Sequence, residues 1–297
     1  MMARGWGTSV GLVLALWAGL AACENYDPQE DVNHLKSQQA EVREKAAGRL
    51  VRRGEEVVLL LLPETRSEYT RVRFEVARLL GRIRDPRATE ALVAMLDDKS
   101  ANVWQMAAWA LSELRAAEAV PKLLENTHSV SKGVRAEAVR GLGLCYSDTV
   151  WGALRDSIQG QVLAALQDPV SEVRIAALLS ARELGYGGAS DQVIRMTRDP
   201  SDEVRYVAVQ ALGQLATGDT PRSVGPVSER VRASIVEALV AELDEPLQSI
   251  RTKAVRSLEQ IGAPEAAPHL ERLRSQGTAE DVREAGRVLE KLGAAGP

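Results

Sequence analysis

Residues 199–215 read DPSDEVRYVAVQALGQL, and this stretch decides the fold. Asp199-Pro200 marks a break, because proline biases the residue before it away from helix. From Val204 onward, apolar or small residues fall at Ala208, Ala211, Leu212 and Leu215, offsets of 4, 7, 8 and 11. At about 100° per residue these positions share one face of an α-helix. The same signature recurs at Val42-Arg43, Val72-Arg73, Val134-Arg135, Val173-Arg174, Ile250-Arg251 and Val282-Arg283, with Val103-Trp104 in the remaining slot. Successive steps are 30, 31, 31, 39, 31, 46 and 32 residues. A turn and a second amphipathic helix, such as Thr89–Leu96, follow each Val-Arg helix. Each helix pair carries an apolar face that it cannot bury alone, so the pairs must stack. The sequence predicts an all-α solenoid of about eight helix pairs over residues 30–297.

Composition points the same way. An apolar content of 45% supplies a core and excludes wholesale disorder. Aromatic residues make up only 4%, which favours helix over sheet. Acidic residues (41) outnumber basic ones (37), a net charge of −4 that argues against phosphate-driven nucleic-acid binding. Two cysteines, Cys23 and Cys145, make no disulfide framework. The two long steps locate insertions near Ser147–Asp156 and Thr217–Glu229. Gly218, Pro221, Gly225 and Pro226 make the second a predicted loop, either a tolerated insertion or a lip over a groove.

Leu80-Gly81-Arg82-Ile83-Arg84-Asp85-Pro86-Arg87-Ala88, followed by Ala91-Leu92-Val93-Ala94-Met95-Leu96-Asp97-Asp98, resembles the short HEAT-like repeat first associated with phycobilin lyases. Residues 202–213 repeat the pattern, and the resemblance covers about residues 30–293. It implies a scaffold fold with the Val-Arg helices on the concave side, and it carries little about function. It also implies an inter-repeat ladder between an Asp ending one helix and the Arg of the next. Asp168 stands six residues before Arg174, and Asp199 six before Arg205. Asp98 holds the same place before Trp104, where the Arg is missing.

The first 22 residues read as a processing segment. Arg4 precedes an uncharged run over 5–22, and Leu20-Ala21-Ala22-Cys23 resembles the bacterial lipobox. That resemblance implies cleavage before Cys23, diacylglycerol on its sulfur, a polar tether over 23–29 and a membrane-anchored mature chain on the extracytoplasmic, periplasmic side. Several acyl chains anchor stably where one does not. The competing readings are an uncleaved anchor and an ordinary secretory leader; the 18 uncharged residues barely suffice to span a ~30 Å hydrocarbon core.

Catalytic signatures are missing from the sequence. His34, His128 and His269 lie in different units, outside any His-Glu pair of the kind used by the metal-dependent HEAT-repeat hydroxylase, and no HExxH, G-x-S-x-G, Walker or paired-Cys spacing occurs. Gly141-Leu142-Gly143 sits in a repeat helix and lacks a third glycine. Cys145 falls on a core position, where a buried inert thiol is expected. No metal and no cofactor is therefore expected.

The surface columns are more informative. Offsets 2 and 6 lie opposite the core face and read Glu44, Phe74, Gln105, Ala136, Ile175, Tyr206, Thr252 and Gly48, Arg78, Trp109, Arg140, Leu179, Gln210, Arg256. Aromatic and Arg residues there suit protein binding. Phe74, Arg78, Trp109, Arg140, Ile175, Leu179, Tyr206 and Arg256 are the candidate partner-binding residues, with the arginines favouring an acidic or carboxylate-bearing segment. Packing beneath neighbouring helices is the competing explanation. The sequence thus leads to a non-catalytic, lipid-anchored scaffold for a protein partner, and next to a lyase-like factor that attaches a chromophore or cofactor. A DNA-glycosylase-type nucleic-acid binder would need a cytoplasmic chain and strongly salt-dependent DNA binding.

Overall fold

The computed structural model describes residues 27–145, 148–218 and 227–294. The leader 1–22, Cys23 and most of the tether lie outside the described residues, as do 219–226 of the second insertion. Every regular element among the described residues is helical. In chain order the α-helices are α1 (Pro28–His34), α2 (Ala40–Arg53), α3 (Val58–Leu61), α4 (Thr70–Ile83), α5 (Thr89–Ala94), α6 (Ala101–Leu114), α7 (Val120–Asn126) and α8 (Lys132–Leu144). There follow α9 (Asp148–Ala165), α10 (Ser171–Glu183), α11 (Ser190–Met196), α12 (Asp202–Thr217), α13 (Glu229–Ala241), α14 (Gln248–Ile261), α15 (Ala267–Gln276) and α16 (Ala279–Ala294). Even-numbered helices are the Val-Arg helices, and they form one layer; the odd-numbered helices form the other.

Each odd helix, taken with the 3-10 turns that flank it, packs more broadly on the Val-Arg helix that follows it than on the one before. The natural pairs are therefore α1/α2 to α15/α16, eight in all, with the Val-Arg helix second in each. Between the layers lies the core set by the apolar periodicity: Val72, Val76, Leu79 and Leu80 on α4, and Val204, Ala208, Ala211 and Leu212 on α12, are all buried. Neighbouring Val-Arg helices run along each other, whereas the shorter odd helices touch only sparsely. A layered array curves toward its more closely spaced layer, so the Val-Arg helices line the concave side.

Small residues set that close spacing at every second crossing. A Cβ on Gly81 of α4 would lie 2.8 Å from the Cα of Ala110 on α6; one on Gly143 of α8 would lie 2.7 Å from the Cα of Ser180 on α10. On α12, a Cβ at Gly213 would meet the Ser257 Cβ of α14 at 2.8 Å. Two of these crossings are also hydrogen-bonded through buried serines: Ser180 Oγ donates to the Val139 carbonyl at 2.6 Å, and Ser257 Oγ to that of Val209 at 3.0 Å. The intervening crossings carry Ser112, Arg182 and Glu259 at the glycine's position and are more open.

From Asp148 onward the first insertion is helix: α9 has 18 residues where α7 and α11 have 7, so the extra chain lengthens an odd helix at its N-terminal end. At the second insertion α12 stops at Gly218, whose φ of 64° is left-handed. The next helix starts behind Ser228, whose hydroxyl accepts from Val231 N–H at 3.4 Å. No helix among the described residues is long and apolar enough to cross a membrane.

Candidate functional site

Two faces of the Val-Arg helices carry arginine, and their chemistry differs. At offset 1, Arg73, Arg135, Arg174, Arg205 and Arg251 each reach in two directions. Arg174 Nη1 donates to the Asp168 carbonyl at 2.9 Å, while its Nε and Nη2 grip the Asp199 carboxylate at 2.8 and 2.7 Å. The six-residue spacing seen in the sequence is thus bridged by a backbone carbonyl, and the carboxylate partner is the Asp of the following repeat. This corrects the pairing of Asp168 with Arg174 and of Asp199 with Arg205: Asp168 takes Arg135 at 2.9 and 3.1 Å, and Arg205 takes Glu245 at 2.9 Å. Arg73–Asp98 (2.6 Å) and Arg251–Asp281 (2.8 Å) complete the series.

The ladder explains the exception at Trp104. Asp98 belongs to Arg73 of the preceding repeat, and the residue that would have faced an Arg at 104 is Ser129. Arg43 faces the equivalent Ser67 and holds only the carbonyls of Ser37 and Gln38, each at 2.9 Å. At the other end Arg283 is exposed with no partner among the described residues. Burial works to raise the carboxyls of Asp98, Asp168 and Asp281, but hydrogen bonds from Arg73, Arg135 and Arg251 and from the N–H groups of Ser100, Val170 and Thr278 outweigh it and hold all three below the usual carboxylate range. The same hydrogen bonds raise Arg73 and Arg135 above the usual arginine value. With side-chain exposures of 12% and 5% at Arg174 and Asp199, this edge holds repeats together and offers a ligand little.

The concave face differs. Phe74, Trp109, Ile175 and Tyr206 are half-buried and rest on the core, as do Met106 and Ala136, while Leu179 is half-buried. The packing explanation of these columns therefore holds in part: each of these side chains is covered on one side and open on the other. Phe74, Met106 and Trp109 meet across α4 and α6 in an open cavity of about 520 Å³, which Arg78, Arg82, Asn102, Gln105 and Glu137 complete. Gly81 makes room for its floor, since a Cβ there would lie 2.7 Å from Trp109 Cζ3. Ile175, Leu179 and Tyr206 lie outside this cavity, further along the concave face, with Lys253 Nζ 4.8 Å from the centre of the Tyr206 ring.

The arginines picked out from the sequence are already partnered. Arg78 pairs with Glu75 through Nε at 3.0 Å, Arg140 with Glu137 at 2.8 Å, and Arg256 with Glu284 at 3.0 Å. Hydrogen bonding to Glu75 and Glu284 raises Arg78 and Arg256. The free cation is Arg82, exposed and without an ion pair or hydrogen bond among the described residues. Sequence reasoning missed it, along with Asn102, Met106 and Glu137, and it placed Gln105 in the offset-2 column without picking it as a candidate. Arg82 stands at offset 10, a further position on the face given by offsets 2 and 6, and that was the available signal.

Cys145 is buried at the end of α8, as its core position implied. Among the described residues no three His, Cys, Asp or Glu side chains are grouped to hold a metal ion.

Comparison with known proteins bears on the fold throughout. The model for HEAT repeats matches residues 58–143 and 158–234, more than half the chain, and that for the PBS lyase HEAT-like repeat matches 250–275. None of the curated proteins matches the sequence. Among solved structures, YibA of Escherichia coli is similar at 19% identity and a TM-score of 0.61, covering 98% of this chain and 99% of its own. An engineered protein is similar at 22% identity and a TM-score of 0.53, covering 92% and 79%. The complex of CpcE and CpcF of phycocyanin lyase from Nostoc sp. PCC7120 gives 22% identity and a TM-score of 0.49, covering 79% and 94%.

Proposed function

The chain belongs to the HEAT-repeat family, and from that premise we propose that it is a lipid-anchored scaffold on the extracytoplasmic side of a bacterial membrane, which binds a protein partner through its concave face. The observation that carries the reading is the convergence of Phe74, Met106 and Trp109 in an open cavity. A face selected only for solubility would carry polar side chains there, whereas half-exposed aromatics beside arginine are the usual anchors of protein contacts. The mechanism is display. The Arg73–Asp98 rung clamps the repeats of α4 and α6, which carry the apolar floor, so a partner does not have to order it, and that preorganisation favours affinity. Cys23, at the end of the lipobox-like segment, would carry the anchor; the tether expected over 23–29 is shortened at its far end, because α1 of the repeat domain already begins at Pro28.

The test has two arms. Labelled palmitate should enter the full chain and be lost in Cys23→Ser, which should also leave the membrane fraction; unlabelled wild type removes the anchor. A photo-crosslinker at Gln105 in the groove should capture a partner that the same group at Ala94 on α5 does not. Equal capture at both positions removes the groove.

A second reading, attachment of a chromophore or cofactor, draws on the PBS lyase HEAT-like match at 250–275. That segment lies outside the cavity, which residues 74–137 line. A visible absorption band after incubation with a linear tetrapyrrole, lost in Trp109→Ala, would favour it.

A further inference from the structure

The cavity between α4, α6 and α8 is more selective than an apolar face alone, and its assignment to a class of ligand rests on the proposed role of the groove in partner binding. Its polar side chains divide into spent and unspent groups. Arg78 with Glu75, and Glu137 with Arg140, are neutralised within their own helices. Arg82 has five donors and no partner among the described residues, and the amides of Asn102 and Gln105 make no hydrogen bond there either. Gly133 at the start of α8 leaves room for Gln105: a Cβ there would lie 2.3 Å from the Gln105 Nε2. The unspent set is thus one cation and two amides around an apolar floor.

We infer that this cavity takes a segment of a partner protein in which a bulky apolar side chain stands within two residues of an Asp or Glu. The apolar side chain covers Phe74, Met106 and Trp109, the carboxylate meets Arg82, and the peptide groups between them satisfy Asn102 and Gln105. Other occupants leave groups unmatched. A purely apolar one strips water from Arg82 and both amides without replacing its hydrogen bonds, which is unfavourable. A basic one sets a second cation beside Arg82 and finds Glu75 and Glu137 already held. A carboxylate, by contrast, accepts the fork geometry of the guanidinium. The cavity is also open along the concave face, where Ala136 is the small side chain next in the column, so a chain can run through it.

The test is a selection of displayed random dodecapeptides on the full chain held in phosphatidylcholine nanodiscs. Enriched peptides should carry Leu, Met, Phe or Trp within two residues of Asp or Glu. Enrichment should drop at least tenfold on Arg82→Glu, an exposed position whose change leaves helicity intact, and on Trp109→Ala at equal helicity. Enrichment without acidic residues, enrichment of Lys and Arg, unchanged enrichment on Arg82→Glu, or no enrichment would each overturn the assignment. Competition by free indole-3-propionate at the peptide's own concentration would overturn it in favour of a small carboxylate ligand. If these peptides fail while the Gln105 crosslinker still captures a partner, this inference falls and the groove reading stands; if both fail, both fall.

Discussion

Arginine at offset 1 and arginine at offset 6 stand on the same helices, yet they do different work. Arg174 joins two repeats, with a carbonyl of its own repeat on one side and the Asp199 carboxylate of the next on the other. Arg140 instead folds back onto Glu137, one turn away on its own helix. The first arrangement is the more deeply buried and crosses an interface; the second stays within its helix, as Arg78 with Glu75 does, and Arg256 at the C-terminal end is the exception at offset 6, reaching Glu284 of the next repeat. Charge type therefore says little by itself, and the placement of the partner decides whether an arginine builds the solenoid or decorates its groove.

Stability measurements should separate the two classes. Breaking one side of a buried pair strands the other charge, so Arg174→Ala should cost about 3 kcal/mol, the lower end for such pairs because the edge is not wholly dry. Urea midpoints would show it. The chain already contains the apolar alternative at Trp104 and Ser129, so adding Asp199→Ser to Arg174→Leu should recover more than half the loss. Additivity of the two changes would mean the clamp is not a unit.

Arg43 makes the comparison sharper, because it keeps the carbonyl bonds and lacks the carboxylate. Arg43→Ala should cost about 1 kcal/mol, the worth of hydrogen bonds from a charged donor partly replaced by water. Arg140→Ala should cost about 0.3 kcal/mol, as pairs one turn apart on a single helix do, while leaving the repeat interfaces unchanged. A loss at Arg140 equal to that at Arg174 would erase the distinction between the two faces.

The fold was legible in the sequence because its determinant is periodic: Val, Ala and Leu at helical offsets recur with little change in step. The phase of the pairing was not, since Val-Arg helix and odd helix alternate evenly along the chain and only packing reveals that α3 goes with α4. The ladder was half legible. Its residues stood out, but Asp168 precedes Arg174 in the chain while contacting Arg135 across 33 residues, a distance that only stacking brings to zero. In the groove, the columns that held Phe74, Trp109 and Tyr206 were visible. Pairing within a helix hid the state of Arg78 and Arg140, because the Glu three residues earlier belongs to another column. Arg82 becomes distinctive only beside neighbours that are already spent.

Acid sharpens the same comparison at the C-terminal end. On α14, Glu259 takes Arg287 of α16 at 2.6 Å and Lys291 at 2.5 Å, a clamp between repeats that uses exposed cations. Arg287's hydrogen bonds lead, with burial opposing and Lys291 adding, and the Glu259 carboxyl is held down to about 2 from an ordinary 4.5. A depressed carboxyl gives stability that is present above the unfolded value and lost as pH falls through the folded one. The window therefore runs from 4.5 down to about 2. Both cations are exposed, so screening should reduce the contribution to about 1 kcal/mol or less. Comparing urea midpoints of wild type and Glu259→Gln, the wild-type advantage should be full at pH 6, shrink below pH ~4.5 and vanish near pH ~2. It should also shrink in 1 M salt, where the Debye length falls to about 3 Å. The buried Arg174–Asp199 clamp should lose much less to salt. Equal salt sensitivity in both would mean that position on the solenoid edge, rather than burial, governs how these repeats are held.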